Sequence, residues 1–465
     1  MMTLNLALRN LLRNRRRSFA TLLAMAIGST SILLFGGYST NINYTMHTTY
    51  VQNGGHLQIQ HRDFFLYGSG NPTAYGIADY AKIIAAIQAD EVLRKMVLVA
   101  TPTLQFGGIA GNYAASVSRT VIGNGFVAED VNRMRRWNDF DIRTSPPVFA
   151  LEGASADAAI VGTGVARVLQ LCEALKIENC PKPGKKTVTD GNALPADIAQ
   201  LTLQETPAAA VGSGASPSRI ELLAGDARGT PNVASLDVIK AENQGFKEFD
   251  EVYVMMHLAQ TQKLIYGKAP PRATSIILQL KHSDQIPAAM ARLEPILNQF
   301  SETQPLAMLD FRTLNPFYVQ TIQLFETIFG FIFALIGAIV LFTVGNTMNT
   351  AVVERTVEIG TLRAIGLRAS GIRRLFVVEG ALLGFCGALL GVALALLLAA
   401  VTNRTGLTWT PPGSVVALPL TLTVWGETRM ILGTTVGLIC IALLSAWWPA
   451  YRAAKLNVVD ALRHV

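Results

Sequence analysis

Residues that could do chemistry are few and scattered in this 465-residue chain. A nucleotide-binding loop needs glycines that let backbone N–H groups close on phosphate oxygens, with a lysine and a hydroxyl at fixed spacing. The nearest stretch, Gly184-Lys185-Lys186-Thr187, lacks the upstream glycine and follows no strand pattern, so it is rejected. No G-x-S-x-G nucleophile elbow is present. The six histidines do not group with carboxylates as metal ligands would, and there is no C-x-x-C, so neither a metal site nor a catalytic residue is expected. Of four cysteines, Cys386 and Cys440 fall in apolar runs and read as packing residues. Cys172 and Cys180 lie close together in the polar middle, where a disulfide and two unpaired thiols both fit. Within the apolar runs no row of ionisable groups forms an ion or proton path, because Glu326 and Glu379 fall near their ends. Any active process would draw its energy from a partner.

The elements that must position these residues follow from hydropathy. Only 15% of residues are charged, against about 25% in an average soluble protein, and half are apolar. Apolar stretches free of charge run over 327–353, 380–403 and 430–451, and an earlier one spans 18–38. Each is long enough to cross a bilayer. The first follows Arg13-Asn14-Arg15-Arg16-Arg17 and ends at no small-x-small cleavage site, so an uncleaved anchor is expected. The net charge of +7 admits nucleic acid or a positive-inside membrane protein. Arginine placement decides for the membrane. Arg9, Arg13, Arg15, Arg16 and Arg17 precede the first span. Arg355, Arg363, Arg368, Arg373 and Arg374 lie between the second and third, and Arg452, Lys455 and Arg463 follow the fourth. The positive-inside rule makes those segments cytoplasmic, and the region between spans 1 and 2 extracytoplasmic.

The expected order is therefore a cytoplasmic amphipathic helix at 1–17, carried by Leu4, Ala7, Leu8, Leu11 and Leu12, then a first transmembrane helix at 18–40. An extracytoplasmic domain fills 41–316, with stalk and second span at 317–353 and a cytoplasmic segment at 354–374. The third span at 375–403, a short outer loop at 404–427, the fourth span at 428–451 and a cytoplasmic tail at 452–465 complete it. In the outer domain, Gly54–Gln60, Val97–Phe106, Ala114–Ile122, Arg219–Ala224, Glu251–Met256 and Thr274–Leu280 read as strands. Ala78–Val97 and Gln285–Phe300 read as helices, and Ala159–Gly162 leads into a helix through Leu171. Such a mixture is α+β. The proline-rich stretch 178–218 reads as a flexible insertion, either a cargo-contacting arm or a surface loop, and Pro316 as a kink below the second span.

The cytoplasmic segment is the most informative. It runs Glu354-Arg355-Thr356-Val357-Glu358-Ile359-Gly360-Thr361-Leu362-Arg363-Ala364-Ile365-Gly366. On a short helix, Ile359, Leu362 and Ile365 would form an apolar knob, with Glu354, Arg355, Glu358 and Arg363 as a charged rim. That pattern suits insertion into a cleft on another protein. The segment resembles the signature of FtsX-type ABC permeases, the superfamily of MacB and the LolC/LolE lipoprotein-release subunits. The opening Ala7–Ser18 and the closing Pro449–Lys455 with Asp460–Arg463 are similar to that family's ends, and Gly55-His56-Leu57-Gln58-Ile59 resembles its lipoprotein-release branch.

The resemblance implies four transmembrane helices with a large MacB-like periplasmic domain between the first two, in an inner membrane. It implies that Glu354–Gly366 couples to a separate ABC ATP-binding subunit, which hydrolyses ATP with Mg, because only 17 residues precede the first span here whereas MacB carries its ATPase at its own N-terminus. A second permease copy or paralogue, membrane lipids and a periplasmic or outer-membrane protein are the remaining partners implied. The function implied is mechanical transmission that releases or exports a lipid, lipoprotein or amphipathic cargo. MacB-like efflux through an outer-membrane duct and FtsX-like control of a wall hydrolase are the alternatives. Peptide-sensing permeases have more spans.

Overall fold

The computed structural model describes residues 2–13, 15–142, 147–177, 180, 218–226, 228–301, 304–410 and 417–456. In chain order the main elements are α1 (Met2–Arg13), α2 (Arg15–Gly54), β1 (Leu57–His61), α3 (Tyr80–Ala89), β2 (Val97–Asn112), β3 (Val117–Phe126), α4 (Ala128–Arg135), β4 (Ala158–Gly162) and α5 (Thr163–Val168). There follow β5 (Arg219–Gly225), β6 (Pro231–Glu242), β7 (Tyr253–His257), α6 (Leu258–Tyr266), β8 (Ser275–Leu280), α7 (Ile286–Asn298) and β9 (Leu306–Asp310). The chain then passes through α8 (Pro316–Glu354), α9 (Thr356–Ala364), α10 (Ala369–Thr405) and α11 (Thr428–Ala454). It divides into a helical unit (1–46, 317–409 and 418–465) and a second unit (47–316 with 410–417).

In the helical unit α2, α8, α10 and α11 are each long and apolar enough to cross a membrane. With little hydrophobic drive between helices in lipid, close backbone approach must come from small residues. Helix α10 supplies them on two faces. A Cβ on Gly380 would stand 2.5 Å from the Ala446 Cβ, and one on Gly384 would stand 2.9 Å from the Ala442 Cβ, so this pair seats α11. Gly387 and Gly391 face Met25 and Ser29 and seat α2. Here the Thr30 hydroxyl donates to the Gly391 carbonyl at 3.1 Å. Met25, Val340, Val344, Phe376, Leu383 and Leu438 fill the core among the helices. One end of α11 carries three cation–π pairs, Arg373 over Trp447, Arg452 over Trp448 and Lys455 over Tyr451. Exposed Trp425 precedes the other end. From Thr428 to Trp447 is roughly 30 Å of helix, the thickness of a bilayer's hydrocarbon.

The second unit is α+β. Strand β2 serves two sheets. Its first part, Val97–Thr103, pairs with β8, which continues through β1 to β9. Helices α3 and α7 cover one face of that sheet with Ile83, Ile87, Leu293 and Leu297 against Leu57, Ile59, Ile276 and Leu278. Its second part, Leu104–Asn112, pairs with β3 and also with β5. The order β2-β5-β6-β4-β7-β3 then returns to β2, which closes a six-stranded barrel. Phe106, Val121, Val161, Leu222, Leu236 and Met256, with Leu264 of α6, form its core.

Several sequence expectations change. Helix α2 does not end near residue 40, and Gly54 is not in a strand. The helix continues to Gly54, Gly55 takes a left-handed φ of 71°, and the strand begins at Leu57. The polar stretch after residue 40 hid this continuation. The helix expected over Ala78–Val97 is broken at Asp90, whose carboxylate caps a new turn by accepting the Leu93 N–H at 2.9 Å. Pro316 opens α8 rather than kinking it, because a first-turn residue needs no amide donor. Helix α10 begins at Ala369 and α11 runs to Ala454, each longer than its expected span. Strands β6 and β9 and helices α4 and α6 had not been expected. Cys386 and Cys440 are exposed rather than packed. Cys180 apart, the insertion expected at 178–218 lies up to residue 217 outside the described residues, as do the tail residues 457–465 and the side chains of Leu4, Leu8 and Leu12.

Candidate functional site

Helix α9 is a nine-residue connector between α8 and α10. Its end is set by sequence. Gly366 adopts a φ of 100°, which an L side chain resists. The Leu367 N–H donates to the Leu362 carbonyl at 3.0 Å and the Gly366 N–H to the Arg363 carbonyl at 3.1 Å. These are the two bonds of a Schellman closure, with Gly366 in the position reserved for glycine.

The charged residues of the segment divide differently from the expected rim. Arg355 turns inward. Its Nη1 lies 3.4 Å from Glu379 Oε1, with side chains only 6% and 3% exposed, and its Nη2 donates to the Asn10 carbonyl at 3.3 Å. Glu358 meets Arg13 at 2.6 Å and Glu354 meets Arg17. Arg363 donates through Nη1 to the Leu456 carbonyl. Rim charges thus tie α9 and the two residues before it to α1, α2, α10 and the segment after α11. The expected knob is also corrected. Ile359 is 3% exposed and packs into the helical core, because Gly360 and Ile359 form the inner face of α9. Leu362 is 39% exposed, Ile365 79%, and Leu367 joins them outside, with Ala364 and Gly366 also exposed. Leu367 was not in the expected set, yet the Gly366 turn brings it beside Leu362. Glycine after a helical run was the signal for that turn.

The other singled-out residues lie in the second unit. His56 is fully buried. Its Nδ1 accepts the Leu280 N–H at 2.9 Å, so its proton sits on Nε2, which faces the Ser283 Oγ at 3.0 Å. The His47 Nε2 reaches the same Oγ at 2.9 Å. Burial first, then the charge of His47, pushes the His56 pKa down to about 3. His56 therefore joins Gly55 and β1 to the end of β8 as a neutral structural hydrogen-bonder. Cys172 and Cys180 form a disulfide with Cα atoms 6.2 Å apart. Among the described residues no cluster of three His, Cys, Asp or Glu could hold a metal ion.

The comparisons with known proteins agree with where this geometry concentrates. Residues 327–458, from α8 through α11, match the family model for the FtsX-like permease C-terminal region. The chain is 32% identical over 168 residues to the lipoprotein-releasing system transmembrane protein LolC of Haemophilus influenzae, which is 36% of this chain and 41% of that protein. It is 36% identical over 143 residues to the macrolide export ATP-binding/permease protein MacB of Escherichia coli K12, 31% of this chain and 20% of that one. The chain thus matches less than half the length of either relative. Among solved structures, the periplasmic region of MacB from Actinobacillus actinomycetemcomitans overlaps 57% of this chain and 94% of that one. Its TM-score of 0.31 and 10% identity carry no argument.

Proposed function

From the premise that residues 327–458 are an FtsX-like permease C-terminal segment shared with ABC transporter permeases, we propose that the chain is the membrane subunit of an ABC transporter, driven through α9 by a separate ATP-binding subunit. The observation that carries the reading is the outer end of α9. Leu362, Ile365 and Leu367 project from a helix whose end is fixed by Gly366 and whose charges are bound to its own bundle. A rigid apolar tip held by its own helices passes a push onward instead of folding away from it. ATP and Mg belong to the partner subunit. A second permease copy or paralogue supplies the other half of the complex. Both termini and α9 face the cytoplasm, where the arginines are, and the second unit lies outside the inner membrane.

Helix α2 has 40 residues, roughly 60 Å, about twice what a bilayer requires. Its outer half and that of α8 are the stalks through which movement reaches the extracytoplasmic unit. No path across the membrane is needed for a cargo released from its outer face. A lipid, lipoprotein or amphipathic cargo fits the likeness to LolC and the Gly55–Ile59 segment.

The test is Ile365→Asp with Leu362→Asp in the complex reconstituted with its ATPase. Arg363 is a poor probe, because its Nη1 is engaged with the Leu456 carbonyl. Each apolar tip residue buried at an interface contributes about 1.5–3 kcal/mol, so with both changed ATPase affinity should fall about a hundredfold or more, and stimulation with it. Unchanged assembly and unchanged stimulation would refute the coupling role.

A further inference from the structure

We propose that a cleft between the cytoplasmic ends of α2 and α8 binds the phosphate headgroup of an anionic phospholipid. The inference rests on the reading above only in placing those helices in a membrane with that end inward. The cleft holds about 560 Å³ and is lined by Arg17 and Thr21 of α2 and by Phe342, Thr343, Asn346 and Thr347 of α8. On α8 these positions repeat at i, i+4 and so share a face. No residue from 327 to 353 is charged, so a guanidinium, an amide and three hydroxyls converging on one opening stand out.

The hydrogen bonds inside the cleft leave donors over. Thr21 and Thr347 bond each other at 2.8 Å, and Thr343 bonds back to the Ile339 carbonyl at 2.8 Å. Arg17 gives one nitrogen to Glu354, while its enclosed Nη1 has no partner among the described residues. The Asn346 side chain is exposed and makes no hydrogen bond to any described residue. An unpaired amide facing hydrocarbon and an unpaired guanidinium nitrogen are both costly, and a phosphate oxygen satisfies both. A small swing of Arg17 presents two N–H groups to one phosphate, the arrangement arginine favours. Glu354 and Glu358 are already matched by Arg17 and Arg13, and exposed Arg16 adds positive charge at this end of α2.

A lipid, rather than free phosphate, is favoured by the rim. Phe342, Ile339 and Leu335 of α8 and Leu23 and Ile27 of α2 are exposed and apolar, a surface on which acyl chains can lie. Basic pockets between helices at the cytoplasmic face are where acidic headgroups collect.

Native mass spectrometry of the full chain in detergent, with phosphatidylglycerol or phosphatidylcholine added, tests this. Phosphatidylglycerol should be retained at least tenfold over phosphatidylcholine, and excess inorganic phosphate should not displace it. Arg17→Gln should abolish the preference. Asn346→Leu, which leaves the Arg17–Glu354 pair intact, should weaken retention by roughly tenfold, the loss expected for one hydrogen bond to a charged group. Equal retention of the two lipids, indifference to both substitutions, or displacement by phosphate would each overturn the proposal. ATPase stimulation measured on the same samples separates the two readings. With the ATP-binding subunit added, wild-type chain that selects phosphatidylglycerol but gives no stimulation counts against coupling alone, and wild-type chain that stimulates normally without lipid selectivity counts against this site alone.

Discussion

The Arg355–Glu379 pair offers the sharpest test of how the helical unit holds α9. Both side chains are almost wholly enclosed. One nitrogen, Nη1, sits 3.4 Å from each carboxylate oxygen, while Nε is enclosed without a partner among the described residues. The contact is long and not a two-nitrogen fork, so its own attraction does little beyond offsetting the cost of taking both charges out of water. Removing one partner is a different matter, because it strands a buried charge, at a cost of about 3–5 kcal/mol. Glu379→Gln keeps the shape and removes only the charge. For a unit of this size each kcal/mol lowers the unfolding temperature by about 2–4 °C, so a fall on the order of 10 °C is expected. Arg355→Met combined with Glu379→Leu replaces the pair with apolar groups of similar volume and should return the protein to wild-type stability or above. The assay is tryptophan fluorescence on heating the purified chain in detergent. If Glu379→Gln unfolds within about 2 °C of wild type, or the double variant falls as far as the single one, the reasoning fails.

Three further outcomes follow from the same geometry. Gly366→Ala forces a side chain into the left-handed region, at about 1–2 kcal/mol, and should accelerate exchange of the amides at position 366 and Leu367, whereas Gly366→Asn should be milder. Gly391→Ala would drive a methyl into Ser29 and lower thermal stability, while Gly433→Ala meets open space and should be neutral or stabilising by up to about 1 kcal/mol; equal effects would show that the α10 glycines are not packing sites. For His56 the folded pKa, about 3, is below the unfolded value of 6.5, so the unfolded chain binds the extra proton between them. Its contribution is therefore present above pH 6.5 and is lost at about 1.4 kcal/mol per unit as pH falls toward 3. Stability measured from pH 7 to 4.5 should fall less steeply in His56→Gln than in wild type, and parallel slopes would contradict the assignment.

The four long helices were legible because hydrocarbon length and the absence of charge are local properties, read within one window. The Gly366 turn had not been expected, although glycine after a helical run is a local signal of the same kind. The roles of Arg355, Glu354 and Glu358 were not. Their partners Glu379, Arg17 and Arg13 are separated from them by 24, 337 and 345 positions. Helical spacing shows that charges surround an apolar residue but cannot show which of them faces the bundle. That is why Ile359 was assigned outward although its neighbour Gly360 lets α9 lie flat on its core side. In the second unit β6 alternates inward at Ala234, Leu236 and Val238, but Pro231, Asp237 and Lys240 obscured it. Closure of the barrel depends on β3 meeting both β2 and β7, a non-local fact that no short pattern encodes.

Strand β2 has a consequence for how the second unit comes apart. Its 16 residues are laddered into the β8–β1–β9 sheet up to Thr103 and into the barrel from Leu104 on, with no loop between the two halves. A domain joined by a flexible linker can melt one lobe at a time. Here, unzipping either half frays the end of a strand the other half requires. Amides on both sides of the Thr103–Leu104 junction should therefore exchange together, in one cooperative opening, and the two lobes should survive or fail as a single foldon.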